Sequence, residues 1–314
     1  MAHPVACQVD LEFFVPAAAV KPVNVIDIPR ALSLINRKSY RSGYVYSLDY
    51  IEFIGNAGDE ITIFKIPEGY VTNEAWKNGF NIWKRQRSNA MDNEGTSPGR
   101  WSDFKCHMSE NHEDGTFGEL LPMGMAASGV AQTQLSTSGS EWNRAELVIN
   151  DVGAATTSTF AIGMLGQENP GYGALIQGWG DTRAGTVAPD PNQPGTLSIS
   201  WLSRTGEESS DMTVDVLNLV ESENDNPPYA NETDPALTTI YVGGSESGVG
   251  GVGHDSALVG TTGRAVMLRG GLFPVGLLGI HLSGAIDEIS RVIRLHVSRG
   301  RYKGIAAEKI GDFR

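Results

Sequence analysis

The residues of this chain that could do chemistry fall into a few short groups, and the first is rich in glycine. Gly248, Gly250 and Gly253 match the G-x-G-x-x-G pattern that holds a dinucleotide phosphate at the start of a helix. A β-like segment that begins at His254 follows instead of a helix, and no Lys-Ser or Lys-Thr pair completes a Walker loop. The sequence therefore favours a flexible loop over a nucleotide site.

A second group is the densest set of potential metal ligands, namely His107, Glu110, His112, Glu113 and Asp114. Zinc needs three or four side chains that converge, usually from a helix or a rigid knuckle. These residues follow a strand end and enter a polar turn. We therefore favour an exposed turn over a metal site.

A third group is acidic. Glu221, Glu223 and Asp225 lie just before Pro227 and Pro228. Calcium takes several oxygens from loops of this kind, but the EF-hand pattern is absent. We predict no resident cofactor and no metal ligands, and we keep Ca²⁺ at a contact between subunits as an alternative to a solvated acidic loop.

The sequence shows no recognisable group of catalytic residues. The six histidines are scattered, and none has an evident nucleophile beside it. We therefore predict that the protein is not an enzyme and has no catalytic residues. An enzyme built on a β scaffold is the least favoured of the functions considered.

Two short segments alternate aromatic and basic residues, and they are Arg37–Arg41 and Trp83–Arg87. Single-stranded nucleic acid is bound by such pairs, because cations meet its phosphates and aromatic rings stack on its bases. We favour the simpler alternative, in which Tyr40 and Trp83 pack in a core or an interface and the charges around them are ordinary surface charges.

The elements that would position these residues are mostly strands. Residues 44–54 and 61–66 are rich in β-branched and aromatic residues around a glycine-containing turn, which predicts a hairpin. Residues 72–91 predict a helix capped by Thr72 or Asn73, with Trp76, Phe80 and Trp83 on one face.

The remainder of the chain predicts further strands separated by long polar connections. Candidate strands lie at residues 101–108, 145–149, 158–165, 197–201, 212–220, 238–242, 265–268, 277–282 and 293–297. The fold class is therefore predicted as all-β, with about eight to eleven strands and one or two short helices. Residues 1–35 contain four prolines and predict an extended N-terminal arm.

Charge is distributed unevenly along the 314 residues, although the net charge is −13. Residues 1–100 balance to zero, residues 101–290 carry −18 and residues 291–314 carry +5. The acidic middle is typical of a solvated outer surface, and the basic end is a candidate contact with phosphate. Two distant cysteines make no disulfide framework, and no apolar run is long enough to predict a membrane span.

Three parts of the sequence together resemble a known family: residues 33–43, residues 65–76, and residues 272–279 with 300–304. They are similar to the major capsid proteins of small icosahedral viruses with circular single-stranded DNA genomes, over most of residues 33–305. The resemblance implies an antiparallel jelly-roll sandwich with large loop insertions. It also implies many copies that self-assemble into a shell, a place in the virion and assembly inside the host cell.

One departure from this family determines where the genome would bind. Many of its members begin with an arginine-rich arm, whereas residues 1–29 contain a single cation, Lys21. An internal membrane or a minor capsid protein could balance the genome charge instead. Otherwise the predicted nucleic-acid contacts are Arg37, Lys38, Arg41, Lys84, Arg85, Arg87, Arg299, Arg301 and Lys303.

The resulting division is an arm at residues 1–35, a capsid domain at 36–298 and a basic tail at 299–314. A double jelly roll remains the alternative fold. A β-sandwich that binds carbohydrate, or a tail-fibre-like module, remains the alternative function. It would use Tyr172, Trp179 or Trp201 as a platform for a sugar.

Overall fold

A computed structural model of the chain describes residues 7–15, 23–95, 97, 99, 101–125, 132–135, 142–150, 157–181, 201–205, 232–233, 239–240, 242–244, 251–261, 265–283 and 291–311. The strands are β1 (Asp10–Val15), β2 (Val23–Asp27), β3 (Tyr44–Ile54), β4 (Glu60–Lys65), β5 (Gly118–Glu119), β6 (Met123–Met125), β7 (Gln132–Gln134), β8 (Glu146–Asn150), β9 (Thr157–Gly163), β10 (Tyr172–Ala174), β11 (Glu232–Thr233), β12 (Thr239–Ile240), β13 (Val252–Leu258), β14 (Ala265–Phe273), β15 (Leu277–Ser283), β16 (Arg291–Val297), β17 (Arg299–Tyr302) and β18 (Ala307–Lys309). The helices are α1 (Ile28–Asn36), α2 (Tyr70–Glu94), α3 (Glu110–Glu113) and α4 (Leu175–Asp181), and Trp201–Thr205 and Pro274–Gly276 form 3-10 turns.

Two five-stranded sheets form a sandwich. The front sheet has the order β1-β16-β3-β14, and β18 extends it by pairing with β3 beyond the end of β16. The back sheet has the order β13-β4-β15-β2-β5. All pairs in both sheets are antiparallel except the short pair of β2 and β5.

The eight long strands of these sheets pair from the outside of the chain inwards. β1 pairs with β16, β2 with β15, β3 with β14 and β4 with β13. The four pairs alternate between the front and back sheets. The chain therefore behaves as one long hairpin that is wound around itself, with a large insertion between β4 and β13, at residues 66–251.

The inner core lies between the two sheets. Phe13, Phe53 and Ile293 from the front sheet and Ile63 and Ile280 from the back sheet all belong to it and are fully buried. Alternation places these residues inward because successive side chains of a strand point to opposite faces. This core is the part of the fold that the period-two pattern of the sequence predicts most directly.

A second, outer core covers the back sheet with residues of the insertion. Val25 and Leu277 of the back sheet pack in one cluster with Trp76 of α2, Leu147 of β8 and Trp179 of α4. The outer face of the front sheet has no such cover among the described residues, and it carries charged side chains instead. The sandwich is therefore asymmetric.

Gly79 shows how closely the helices of the insertion pack. A Cβ atom at this position of α2 would lie 2.5 Å from Leu175 Cδ2 of α4. The glycine weakens the helix by about 1 kcal/mol relative to alanine, but its small size lets α4 approach α2.

The structure corrects the prediction of an extended arm over residues 1–35. Residues 10–15 and 23–27 are strands of the two sheets, and residues 28–36 form helix α1. Alternating Leu11, Phe13 and Val15 were the available signal, and the prolines around them obscured it. Residues 1–6 and 16–22 lie outside the described residues.

The structure also corrects the predicted hairpin. Both strands are present, but β3 lies in the front sheet and β4 in the back sheet, so they are consecutive without being paired. The turn around Gly58 carries the chain from one sheet to the other. Sequence periodicity identifies a strand but not its neighbour.

The prediction of one or two short helices is right about α2 but wrong about the number and length of the helices. The predicted helix at residues 72–91 is present as α2, but it begins after Gly69 without a side-chain cap, and Thr72 Oγ1 donates to the carbonyl of Pro67. Four helices are described in place of one or two, and α2 is long, with 25 residues. Burial in the inner core for α1, and in the outer core for α2 and α4, stabilises these helices more than local propensity does.

Most predicted strands are present as β8, β9, β14, β15 and β16. Residues 101–108 are an exception, because they contain a single bridge from His107 to Gly163 and no strand. Residues 212–220 lie outside the described residues, as do residues 197–200. Trp201 begins a 3-10 turn.

Candidate nucleic-acid interface

Two basic segments from distant parts of the sequence meet at one end of the sandwich. We call them the basic patch, which consists of Arg37, Lys38, Arg41, Arg299, Arg301 and Lys303. Helix α1 ends at Asn36, and Arg37 turns the chain with a left-handed φ of 54°. The second segment begins with β17 and turns back at Lys303, which has a φ of 53°.

Three tyrosines join the two segments of the basic patch. Tyr302 stacks on Tyr44 with ring centroids 4.1 Å apart, and the edge of Tyr40 meets Tyr302 at 6.0 Å. The Tyr40 hydroxyl donates to the carbonyl oxygen of Lys303 at 3.2 Å, and the backbone N–H of Arg41 donates to the Tyr302 hydroxyl at 3.1 Å. These contacts hold the two segments in one fixed arrangement.

Lys303 is the centre of this arrangement. Its ammonium group donates to the backbone carbonyl of Ser39 and lies 5.7 Å and 5.3 Å from the ring centroids of Tyr40 and Tyr302. Cation–π contacts of this kind hold the ammonium group in place. Its left-handed backbone costs free energy that the surrounding contacts must offset, and such strain often occurs at functional positions.

The exposed cations of the basic patch are the groups that could bind a ligand. Arg37, Arg41, Arg299 and Arg301 are exposed, whereas Tyr40 is buried. Burial raises the pKa of Tyr40 and of Tyr302 to about 12, so both rings stay neutral near pH 7. The arrangement can therefore bind phosphate groups through guanidinium hydrogen bonds.

The remaining three predicted contacts lie elsewhere. Lys84, Arg85 and Arg87 are on the C-terminal half of α2, beside β8. Arg87 lies 4.9 Å from the ring of Trp83, and Gln86 exchanges two hydrogen bonds with the backbone of Val148. The structure therefore divides the predicted residues into the basic patch and a separate group on α2.

A buried ion network is the feature that sequence reasoning missed. Arg144 Nη2 lies 3.4 Å from Asp27 Oδ2 and 3.2 Å from Glu119 Oε2, and Arg30 Nη1 lies 2.7 Å from Glu119 Oε1. Trp142 Nε1 also donates to Asp27 at 2.9 Å. The network joins β2 and α1 of the sandwich to the insertion, so it helps fix the position of the insertion.

The carboxylates of this network have opposite pKa shifts. Burial raises the pKa of Asp27, and the charge of Arg144 only partly opposes this. Burial acts in the same direction on Glu119, but His112, Arg144 and Arg30 together hold the pKa of that carboxyl well below its usual range. His112 Nε2 is 3.8 Å from Glu119 Oε2, which is too long for a good hydrogen bond, so the guanidinium groups dominate.

Burial favours the neutral form of the histidines beside the network. Burial, reinforced by Arg144, lowers the pKa of His107 to about 3, and burial also lowers the pKa of His112. His112 Nδ1 accepts a hydrogen bond from the Met108 N–H at 3.1 Å, which leaves its proton on Nε2, facing Glu119. Little in the sequence indicated this buried ion network, because its residues come from four separate segments of the chain.

The potential metal ligands predicted from the sequence lie around this network. Glu110 accepts a hydrogen bond from Asn169, and the rings of His107 and His112 are 5.4 Å apart. Within the described ranges, no group of three or more His, Cys, Asp and Glu side chains is arranged to hold a metal ion. The alternative calcium loop at Glu221, Glu223 and Asp225 lies outside them.

Two glycine patterns can be compared with their structural context. Strand β13, at residues 252–258, begins inside the G-x-G-x-x-G segment, so a strand and not a helix follows the glycines. The sequence also contains a G-x-S-x-G pattern, which is typical of hydrolase nucleophiles, at Gly95, Ser97 and Gly99. It was not considered among the candidate sites above. A nucleophile elbow joins a strand to a helix, whereas Gly95 caps the C-terminus of α2.

The predicted sugar platform is wrong. Tyr172, Trp179 and Trp201 are each only 1% exposed. Trp179 and Trp201 belong to the outer core, and the Tyr172 ring packs against Gly163. Their rings stabilise the insertion, so no face is open for a ligand to stack on.

No helix among the described residues is long and apolar enough to cross a membrane. Comparison with known proteins found no matching family model, no matching curated protein and no matching solved structure.

Proposed function

We propose that this chain is a viral major capsid protein, a jelly roll that self-assembles into an icosahedral shell around a DNA genome. The observation that carries the proposal is the nested pairing of eight strands across two sheets. The resemblance of residues 33–43, 65–76 and 272–304 to capsid proteins of single-stranded DNA viruses points the same way.

The nested pairing supports a jelly roll, because that fold consists of eight strands wound as a double Greek key. Eight long strands account for a single roll, and residues 66–251 are then one insertion between its central strands β4 and β13. This division favours one roll with a large insertion over two stacked rolls.

The basic patch supports a surface that contacts the genome. Four of its arginine side chains are exposed at one end of the sandwich, and its tyrosines hold them in place. Phosphates of single-stranded DNA would be bound there by charge. The acidic middle of the sequence would then face away from the genome.

Topology alone does not decide function, because lectin domains and cupins share the jelly roll. A carbohydrate-binding module is the alternative. It now lacks the aromatic platform that the sequence suggested, since Tyr172, Trp179 and Trp201 are buried.

The test is assembly of the full chain. We expect the purified protein to sediment as closed particles of uniform diameter in electron micrographs, at some combination of salt and calcium. A monomer under every combination would contradict the proposal. Binding of a glycan by a small soluble oligomer would favour the carbohydrate alternative.

A matched pair of variants tests the genome-facing role. The double substitution Arg299→Ala and Arg301→Ala should leave assembly intact and lower the nucleic acid content of the particles. Its control is Arg269→Ala with Arg294→Ala on the front sheet, which removes the same charge outside the basic patch. Equal loss in both variants would mean that only total charge matters.

A further inference from the structure

A cleft beside α2 is a candidate binding site that is separate from the basic patch. It has a volume of about 610 Å³, within the usual range of about 300–1,000 Å³ for ligand sites. Its walls come from the middle of α2, the segment that follows α2, and the start of β8. Its principal lining residues are Trp83, Trp101, Asp103, Lys105, Asn143 and Arg144, and Glu146 also lines it.

Two buried polar atoms in this wall have no hydrogen-bond partner in the described structure. They are Oδ2 of Asp103 and Nε of Arg144. A buried acceptor or donor without a partner costs free energy, which a ligand could recover by pairing with it. Asp103 lines the cleft, so its carboxylate is the acceptor that a ligand there would meet.

The aromatic residues of the cleft and the cations around it narrow the chemistry of that ligand. Trp83 and Trp101 line it, and Arg87 lies 4.9 Å from the Trp83 ring. Lys105 is buried, and its ammonium donates to the Trp101 carbonyl. Indole rings stack on planar bases, and guanidinium groups bind phosphate. A neutral sugar would make no use of the Arg87 charge.

We propose that this cleft binds one nucleotide of a single-stranded nucleic acid. The base packs against Trp101, an N–H group of the base donates to Asp103, and the phosphate lies near Arg87. The proposal rests on the proposed function, because a shell that encloses a genome supplies the nucleic acid. The cleft would contact a base of the nucleic acid, whereas the basic patch would bind only its phosphates.

The first test measures the affinity of the full chain for a labelled single strand of about ten nucleotides. Trp101→Ala should weaken binding about fivefold or more, since stacking on an aromatic ring contributes about 1–3 kcal/mol per base. Trp101→Phe should restore most of the affinity. Tyr50→Ala, at an aromatic residue on the front sheet, is the control and should bind as the unmodified chain does.

The second test separates a base site from a charged surface. Asp103→Ala removes a negative charge, so simple electrostatics would make binding tighter. If Asp103 accepts a hydrogen bond from a base, binding becomes weaker instead. Tighter binding by Asp103→Ala would overturn the proposal.

An abasic strand of the same length completes the comparison. It should bind the unmodified chain and Trp101→Ala equally, because it has no base to stack. Unchanged affinity of Trp101→Ala for the normal strand would overturn the proposal even if particles form. Particles that fail to form while Trp101 still governs binding would overturn the capsid function instead.

Discussion

Each face of the sandwich has an arginine that lies between two carboxylates, but one of these groups is exposed to water and the other is buried. On the exposed front sheet, Arg294 lies 3.3 Å from Glu12 and 3.1 Å from Glu52, and its side chain is 39% exposed. Under the insertion, Arg144 lies between Asp27 and Glu119, and its side chain is 12% exposed. Water competes with the first set of ion pairs and is largely excluded from the second, so the same chemistry has different energetic consequences.

The largest expected effect is on the buried side of this comparison. Arg144→Met should lower the free energy of unfolding by about 3–5 kcal/mol, because it leaves Asp27 and Glu119 buried without their shared cation. Denaturant unfolding monitored by circular dichroism measures the change. A loss under 1 kcal/mol would mean that water reaches this network.

Lowering the pH should reduce the free energy of unfolding, because His107 is buried beside the same network. The pKa of His107 falls from an ordinary 6.5 to about 3 on folding, so the unfolded chain takes up a proton that the folded chain refuses. Stability due to this group is full above pH 6.5 and declines by about 1.4 kcal/mol per pH unit as the pH falls towards 3. Unfolding measured between pH 7 and pH 4 should show this decline, and His107→Phe should reduce it.

Packing between α2 and α4 gives a smaller effect on the covered side. Gly79→Ala should destabilise the protein by about 1–3 kcal/mol, because the new methyl group meets Leu175 and this outweighs the gain in helix propensity. Thermal unfolding measures it. The double variant Gly79→Ala with Leu175→Ala should recover part of the loss, and if it recovers none the clash is not the cause.

The smallest effect is expected on the exposed face. Arg294→Met should change stability by about 0–1 kcal/mol, since exposed ion pairs contribute little. Raising the salt concentration should reduce the difference from the unmodified chain further. A loss as large as that of Arg144→Met would remove the distinction between the two faces.

The sequence predicted those parts of the fold whose signal is local. Alternation identified β3, β15 and β16, and the i, i+4, i+7 spacing of Trp76, Phe80 and Trp83 identified α2. It could not show that β3 and β4 belong to different sheets, because pairing depends on strands hundreds of residues away. Proline-rich surroundings hid β1 and β2.

For the candidate sites, too, the sequence predicted the local features but not the long-range contacts. Each half of the basic patch was visible as a run of cations, at Arg37–Arg41 and from Arg299 onwards. That Tyr40, Tyr44 and Tyr302 would join them depends on the register of β18 against β3, which no local pattern encodes. The buried network of Asp27, Glu119 and Arg144 required knowing the burial of separate segments.

The nested strand order also has a consequence for biosynthesis. Asp10 in β1 contacts His296 in β16, 286 residues later in the chain. At about 5–20 residues per second, a ribosome needs roughly 15–60 seconds to supply the partner of the first strand. During that time β1 has an unpaired edge on a growing chain, and contacts this distant in sequence are slow to form. Newly made chains would therefore depend on protection of that edge, by a chaperone or by slow synthesis, before the two sheets could close.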